Sequence, residues 1–282
     1  NVVVIIDDIE EPKITTEYEG DVTVEENTGE GETVVDFVEI LEKIKAENDE
    51  IRANLEKIKG KVSFKINQEA SANANGVFAI TTTAGKAIVK VKDPTKLNFE
   101  ALYSKDKNKD KTTFKVVVVA SGEDANGFDV EVSITMGITV TDVNESPEIT
   151  KTKSLLVPET YTSEDGEFGK VTATDQDNAY GSVHPWGFNK LTYKVEEVLE
   201  VNGSTDFPFE LNPNTGVFTV ADGQKLDYTK QKQYKCVVNV VDNPKYFDDE
   251  GNLVYPAQSA TKTIIIDVAD VNRPSEFKVL TN

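Results

Sequence analysis

The sequence predicts an all-β chain built from two tandem Greek-key β-sandwiches, the first interrupted by a helical insertion. Three observations carry this. Segments recur in the same order in the two halves of the chain. Within those segments, apolar residues alternate with polar ones at the period of a strand buried on one face. Turn residues separate the segments at regular spacing, as in sandwiches.

The repeat is sought first, because a missed repeat misassigns the whole fold. An apolar strand at Ile138 to Val140 runs into Asp142-Val143-Asn144-Glu145-Ser146-Pro147. Another at Ile264 to Ile266 runs into Asp270-Val271-Asn272-Arg273-Pro274. The chain opens on Ile5 and Ile6 before Asp8, Glu10, Glu11 and Pro12. One design therefore recurs: strand, acidic linker, proline. Asp142 and Asp270 lie 128 residues apart, a single-domain period. The boundaries that follow are residues 1–12 (end of a preceding repeat and its linker), 13–141 (first repeat), 142–147 (linker), 148–269 (second repeat) and 270–282 (linker to a further repeat).

Between the linkers the matches keep their order. Val62 to Ile66 corresponds to Leu191 to Val195, and Phe78 to Ile80 corresponds to Phe209 to Leu211. Gly85 and Gly216 each follow those phenylalanines by seven residues. Leu97-Asn98-Phe99-Glu100 corresponds to Leu226-Asp227-Tyr228-Thr229. Phe114 to Ala120 corresponds to Tyr234 to Val240. Tyr234, Cys236, Val238 and Val240 alternate with more polar neighbours, whereas Val116 to Val119 is apolar in both phases, so part of that strand is expected to be covered on both sides. Asn212 to Gly216 reads as a turn.

One segment breaks the pattern. From about residue 36 to 59, Ile40, Leu41, Ile44, Ile51, Leu55 and Ile58 recur every three or four residues. This is helical periodicity, in one helix or in two broken near Asn48 and Asp49. Gly60 follows where a helix would stop. Glu39 with Lys43 and Arg52 with Glu56 are spaced for i,i+4 ion pairing.

Composition narrows the functions. Fifty acidic against thirty basic residues give a net charge of -20. Such a chain repels nucleic acid and anionic membrane and attracts cations. No run of about 18 apolar residues is present, so this chain inserts no segment into a membrane. The first residues lack the basic leader of a signal peptide and read as the last strand of something upstream. The single cysteine, Cys236, lies in an alternating strand and reads as a buried small hydrophobe. The single histidine, His184, precedes Pro185 and reads as a loop residue; Trp186 beside it reads as local packing. Without a nucleophile–base pair, a phosphate loop or zinc spacing, no enzyme is predicted.

Calcium needs six to eight oxygen ligands from carboxylates, carbonyls and water. Sandwich connectivity returns the chain repeatedly to its two ends, so distant acids can meet there. The first repeat can bring Glu26 and Glu100 to one end, and the linker adds Asp142, Asn144 and Glu145. The second repeat can bring Asp175 and Asp177, one residue apart, and Asp242 after the strand ending near Val240. The equivalent outer positions are poorer. Where the second repeat has Asp242 the first has Gly122, with Glu123 and Asp124 following; Thr229 stands for Glu100, and Arg273 for Glu145.

In this order the motifs resemble the cadherin superfamily along nearly the whole chain. Its early glutamate segment is matched by Glu25-Glu26-Asn27 and Pro158-Glu159-Thr160. Its A-x-D-x-D loop is matched by Ala173-Thr174-Asp175-Gln176-Asp177, its L-D-x-E segment by Leu97 to Glu100, its late aspartate by Asp242, and its linker by Asp142 to Pro147. The resemblance implies seven-stranded, immunoglobulin-like repeats stacked in series, in a calcium-dependent adhesion ectodomain at the cell surface. The parent protein would be membrane-anchored, with other cadherin-type ectodomains as partners. It implies that Glu26, Asn98 and Glu100 serve ions nearer the first repeat, that Glu145 and Asp177 bridge, and that Asn144, Asp175, Asp177 and Asp242 hold the ion nearer the second. Backbone carbonyls of Val143 and near Asn189 are implied as well. Asn98 and Glu145 stand where the family has aspartate. The adhesive N-terminal tryptophan of classical members has no counterpart, so internal repeats of a long non-classical cadherin or protocadherin fit better. A passive spacer or receptor-ectodomain segment, and a microbial surface adhesin with similar repeats, are the alternatives. Two N-glycosylation sequons occur, Asn202-Gly203-Ser204 and Asn144-Glu145-Ser146, the second followed by Pro147.

Overall fold

The computed structural model describes residues 14–103, 112–151, 155–177, 190–243, 251 and 255–271. Two compact units divide between Val143 and Asn144. None of the helices among the described residues is long and apolar enough to cross a membrane.

The first unit contains strands β1 (Ile14–Tyr18), β2 (Thr23–Glu25) and β3 (Thr33–Asp36), then helices α1 (Phe37–Glu47) and α2 (Asp49–Lys57). After these come β4 (Ser63–Ile66), β5 (Phe78–Thr83), β6 (Lys86–Val91), the single turn α3 (Phe99–Tyr103), β7 (Thr113–Glu123) and β8 (Asp129–Thr141). One sheet runs β1-β8-β7-β4, with β2 also parallel to β8; the other runs β3-β6-β5. Val116, Val118, Ala120, Val132, Ile134 and Ile138 fill the core from the first sheet, and Phe78, Val89 and Val91 from the second. Val117 and Val119 are buried on the other phase of β7, as its apolar run requires.

The insertion is two helices. Asn48 breaks them: its N–H bonds the Ile44 carbonyl, and its Oδ1 accepts from the Ile51 N–H at 3.0 Å, capping α2. Asp36 caps α1 through the Val38 N–H at 3.1 Å. Phe37, Ile40, Leu41, Ile44, Ile51 and Leu55 form the buried stripe, with Phe37 edge-on to Phe64 at 5.9 Å. The ion pairs on its surface are Glu42–Lys45 and Asp49–Arg52, three residues apart, in place of the four-residue pairs the spacing suggests.

The second unit contains β9 (Glu148–Lys151), β10 (Leu155–Pro158), β11 (Glu167–Lys170), β12 (Thr172–Thr174), β13 (Thr192–Leu199), β14 (Phe209–Leu211), β15 (Val217–Val220), β16 (Gln233–Val241) and β17 (Ser259–Ala269). Its sheets run β10-β17-β16-β13 and β11-β15-β14, with β9 paired to β12. Counting β1/β2, β9/β10 and β11/β12 each as one broken strand gives seven per unit. The first unit has a helix where β12 lies in the second, and its β1 pairs with β8. The core gathers Val157, Phe218, Cys236, Val238, Val240 and Ile266. Burial pushes the Cys236 thiol up to about 12, so it is inert packing. At the Asn212 turn, Gly216 has φ +71, and a side chain there would meet the Val171 carbonyl at 2.4 Å.

Candidate calcium ligands at the ends of the two units

In the first unit the acids gather at the end from which the linker leaves. Glu26 follows β2 and is 4% exposed. Its N–H donates to the Thr141 carbonyl at 3.2 Å. Its carboxylate accepts from the Phe99 N–H at 2.8 Å and from the Val143 N–H at 2.9 Å. One glutamate thereby joins the β2 turn, the α3 segment and the linker. Glu100 on α3 and Asp142 just past β8 are also buried. Asn98 acts locally, its Oδ1 accepting from the Ala101 N–H at 2.7 Å and so capping α3.

In the second unit the acids gather where the chain enters. Asp177 and Asp242 are fully buried, and Asn144 and Asp175 nearly so. The Asp175 carboxylate accepts from the Asp177 N–H at 3.0 Å, the short loop that an Asp-x-Asp spacing allows. The Asp177 carboxylate accepts from the Glu145 N–H at 3.0 Å. Asp242 accepts from the Gln258 N–H at 2.8 Å and from Asn144 Nδ2 at 2.9 Å. Burial still raises its carboxyl above the ordinary range. Asn144 Nδ2 also donates to the Pro256 carbonyl at 3.0 Å. With both its N–H bonds committed, the amide turns its Oδ1 the other way. That oxygen is buried and has no hydrogen-bond partner among the described residues.

Each unit thus assembles its own share of the predicted set: Glu26, Asn98, Glu100, Asp142 and Val143 in the first, Asn144, Glu145, Asp175, Asp177 and Asp242 in the second. Asn189, His184, Trp186 and Arg273 lie outside the described residues. Pro256 and Gln258, which fix Asn144 and Asp242, belong to no motif of the sequence. They act through a backbone carbonyl and amide, which no residue type announces. The Glu26 arrangement recurs at the far end of the second unit: Glu159 accepts from the Tyr228 N–H at 3.1 Å, and its N–H donates to the Ala269 carbonyl at 2.9 Å. There the resemblance between the ends stops. Asp227 accepts from Thr229 and pairs with Lys230 at 3.1 Å, which lowers its carboxyl to about 2, and Asp270 is exposed.

The donors are all oxygens, from carboxylates, a carboxamide and main-chain carbonyls. That composition suits a hard cation such as calcium and does not suit the softer metals that take thiolate or imidazole. The Asn144 oxygen fits the same ion, since a buried acceptor without a donor is costly unless something positive satisfies it.

No family model matches the chain. Over 170 residues, 57% of its length, it is 36% identical to Cadherin-2 of Callithrix jacchus and equally to Cadherin-2 of Bos taurus. It spans 17% of the length of these curated relatives. Human protocadherin-24 EC1-2 is 21% identical, with 90% of this chain and 95% of that one covered, at a TM-score of 0.53. Drosophila N-cadherin EC1-4 is 18% identical, with 91% and 50% covered, at a TM-score of 0.52. At those identities the structural matches carry the fold, and the sequence relatives carry the kinship.

Proposed function

Since the chain belongs to the cadherin superfamily, we propose that it serves calcium-dependent adhesion outside the cell, with calcium bound at the linker between its two repeats. Catalysis has no part in this reading, the relatives by sequence being cadherins. The observation that carries it is the Asn144 carboxamide, whose nitrogen is held by Asp242 and Pro256 while its buried oxygen accepts nothing among the described residues.

The residues divide the work. The peptide bond from Val143 to Asn144 carries one acidic set directly into the other. Glu26, Glu100 and Asp142 would supply oxygens from the first repeat, and Asn144, Asp175, Asp177 and Asp242 from the second. Glu145 and the Val143 carbonyl would complete the set. When bound, calcium supplies positive charge that offsets repulsion among these carboxylates. The backbone donors already on Glu26, Asp177 and Asp242 hold their carboxylates in place beforehand, which lowers the ordering cost of binding. Other cadherin-type ectodomains would be the adhesion partners, and the parent protein would be anchored in the cell membrane.

Thermal unfolding with calcium and with chelator tests the calcium reading. A ligand that binds the folded form alone adds about 2.7 kcal/mol at a hundred times its dissociation constant. For a chain of this size the transition should rise by roughly 5–10 °C in calcium. Melting that is the same in calcium and in chelator would overturn the reading.

A further inference from the structure

Of the two sequons, we propose that Asn202 carries an N-linked glycan and that Asn144 does not. The inference rests on the extracellular reading above and concerns a different surface.

Asn202 and Gly203 are the two central residues of a tight hairpin turn. Their φ values are +54 and +80, the left-handed pair a type I′ turn requires. Val201 and Ser204 close it, with N–H to carbonyl bonds of 2.9 and 3.2 Å in the two directions. Gln231 Nε2 fastens its base by donating to the Val201 carbonyl at 3.2 Å. The Asn202 side chain stands exposed at the tip. Beside the turn lies a surface depression of about 490 Å³ lined by Phe207, Pro208, Lys225, Lys230 and Tyr234, on which a first sugar ring can lie. The folded turn therefore accommodates a bulky polar substituent without moving a core residue.

Asn144 is the opposite case. It is buried, and its Nδ2, the atom a glycan would occupy, gives its hydrogens to Asp242 and Pro256. A sugar on that nitrogen would take one of the two hydrogens, break at least one of these bonds, and need room in a buried site. Pro147 directly after the sequon adds a local obstacle to its recognition.

The transfer takes a lipid-pyrophosphate-linked oligosaccharide as donor. The Asn202 amide nitrogen forms a bond to the anomeric carbon, the carbon–oxygen bond to pyrophosphate breaks, the lipid pyrophosphate leaves, and the nitrogen gives up one proton. The Ser204 hydroxyl supplies the second recognition element of the sequon. In the folded turn its Oγ accepts from the Asp206 N–H at 3.1 Å.

The test is glycopeptide mass spectrometry, with sugars left attached, on the whole chain secreted from eukaryotic cells behind a signal leader. The leader fixes the route, so the outcome is separate from the calcium result. The Asn202 peptide is expected to carry the hexosamine core and the Asn144 peptide to be bare. Ser204→Ala, which leaves the turn residues Asn202 and Gly203 in place, should abolish the glycopeptide, and Ser204→Thr should retain it. An unmodified Asn202 peptide in the secreted protein, or a glycan on Asn144, would overturn the inference.

Discussion

Strand β16 ends at Val241, one residue before Asp242, and strand β7 runs past Ala120 through Gly122. The two positions are equivalent, because Tyr193 pairs with Val240 as Phe64 pairs with Ala120. In the second unit the Asp242 carboxylate is held by Gln258 and Asn144. In the first unit the same corner is filled by hydrocarbon. A Cβ on Gly122 would come within 2.4 Å of the Ile58 Cγ2, and the Lys59 N–H bonds the Glu123 carbonyl at 2.8 Å. Of the two acids that follow, Glu123 is exposed, and Asp124 is used by its own hairpin: it accepts from the Asn126 and Phe128 N–H groups at 2.7 and 3.0 Å. The helical insertion is therefore a plug. Where the second unit has a charged corner, part of the proposed calcium site, the first has apolar packing that needs no ion. Its outward face carries Glu39, Glu42, Lys43, Glu56 and Lys57, the composition of a solvated surface and not of a docking face.

Restoring the missing acid should break the plug. Gly122→Asp must push Ile58 aside and set a carboxylate against its side chain. A loss on the order of 3 kcal/mol in urea unfolding is expected, with no added calcium binding. A stable Gly122→Asp protein with an extra calcium ion would refute the plug. A smaller effect is expected at the polar corner. Asp177→Ala should weaken calcium binding tenfold or more, about 1.4 kcal/mol, whereas Glu42→Ala on the exposed face of α1 should leave it unchanged. Equal calcium titrations for the two variants would remove Asp177 from the ligand set.

Much of this contrast is legible in the sequence. The ordered matches show that Gly122 and Asp242 correspond, and the three- and four-residue spacing of Ile40, Leu41, Ile44, Ile51 and Leu55 shows the helices. What fills the Gly122 corner is not legible, because Ile58 reaches it only through the packing of α2 across the sandwich. Likewise Asn98 resembles a ligand by its place in the motif, yet its oxygen caps α3, a role that depends on where the single-turn helix begins. The firmest partners of Asp242 and Asn144 come from a loop at Pro256 and Gln258, whose contribution is main-chain and leaves no mark on residue type. The pairing of β1 with β8 goes with the first unit having α1 where the second has β12, the partner of β9.

Hydrogen exchange measured peptide by peptide, in calcium and in chelator, tests the comparison most directly. Calcium should slow exchange at the amides of Val143, Glu145, Asp177 and Gln258 and leave those of Ile58, Lys59 and Asp124 unchanged. Equal calcium protection at both corners, or none at either, would contradict the account.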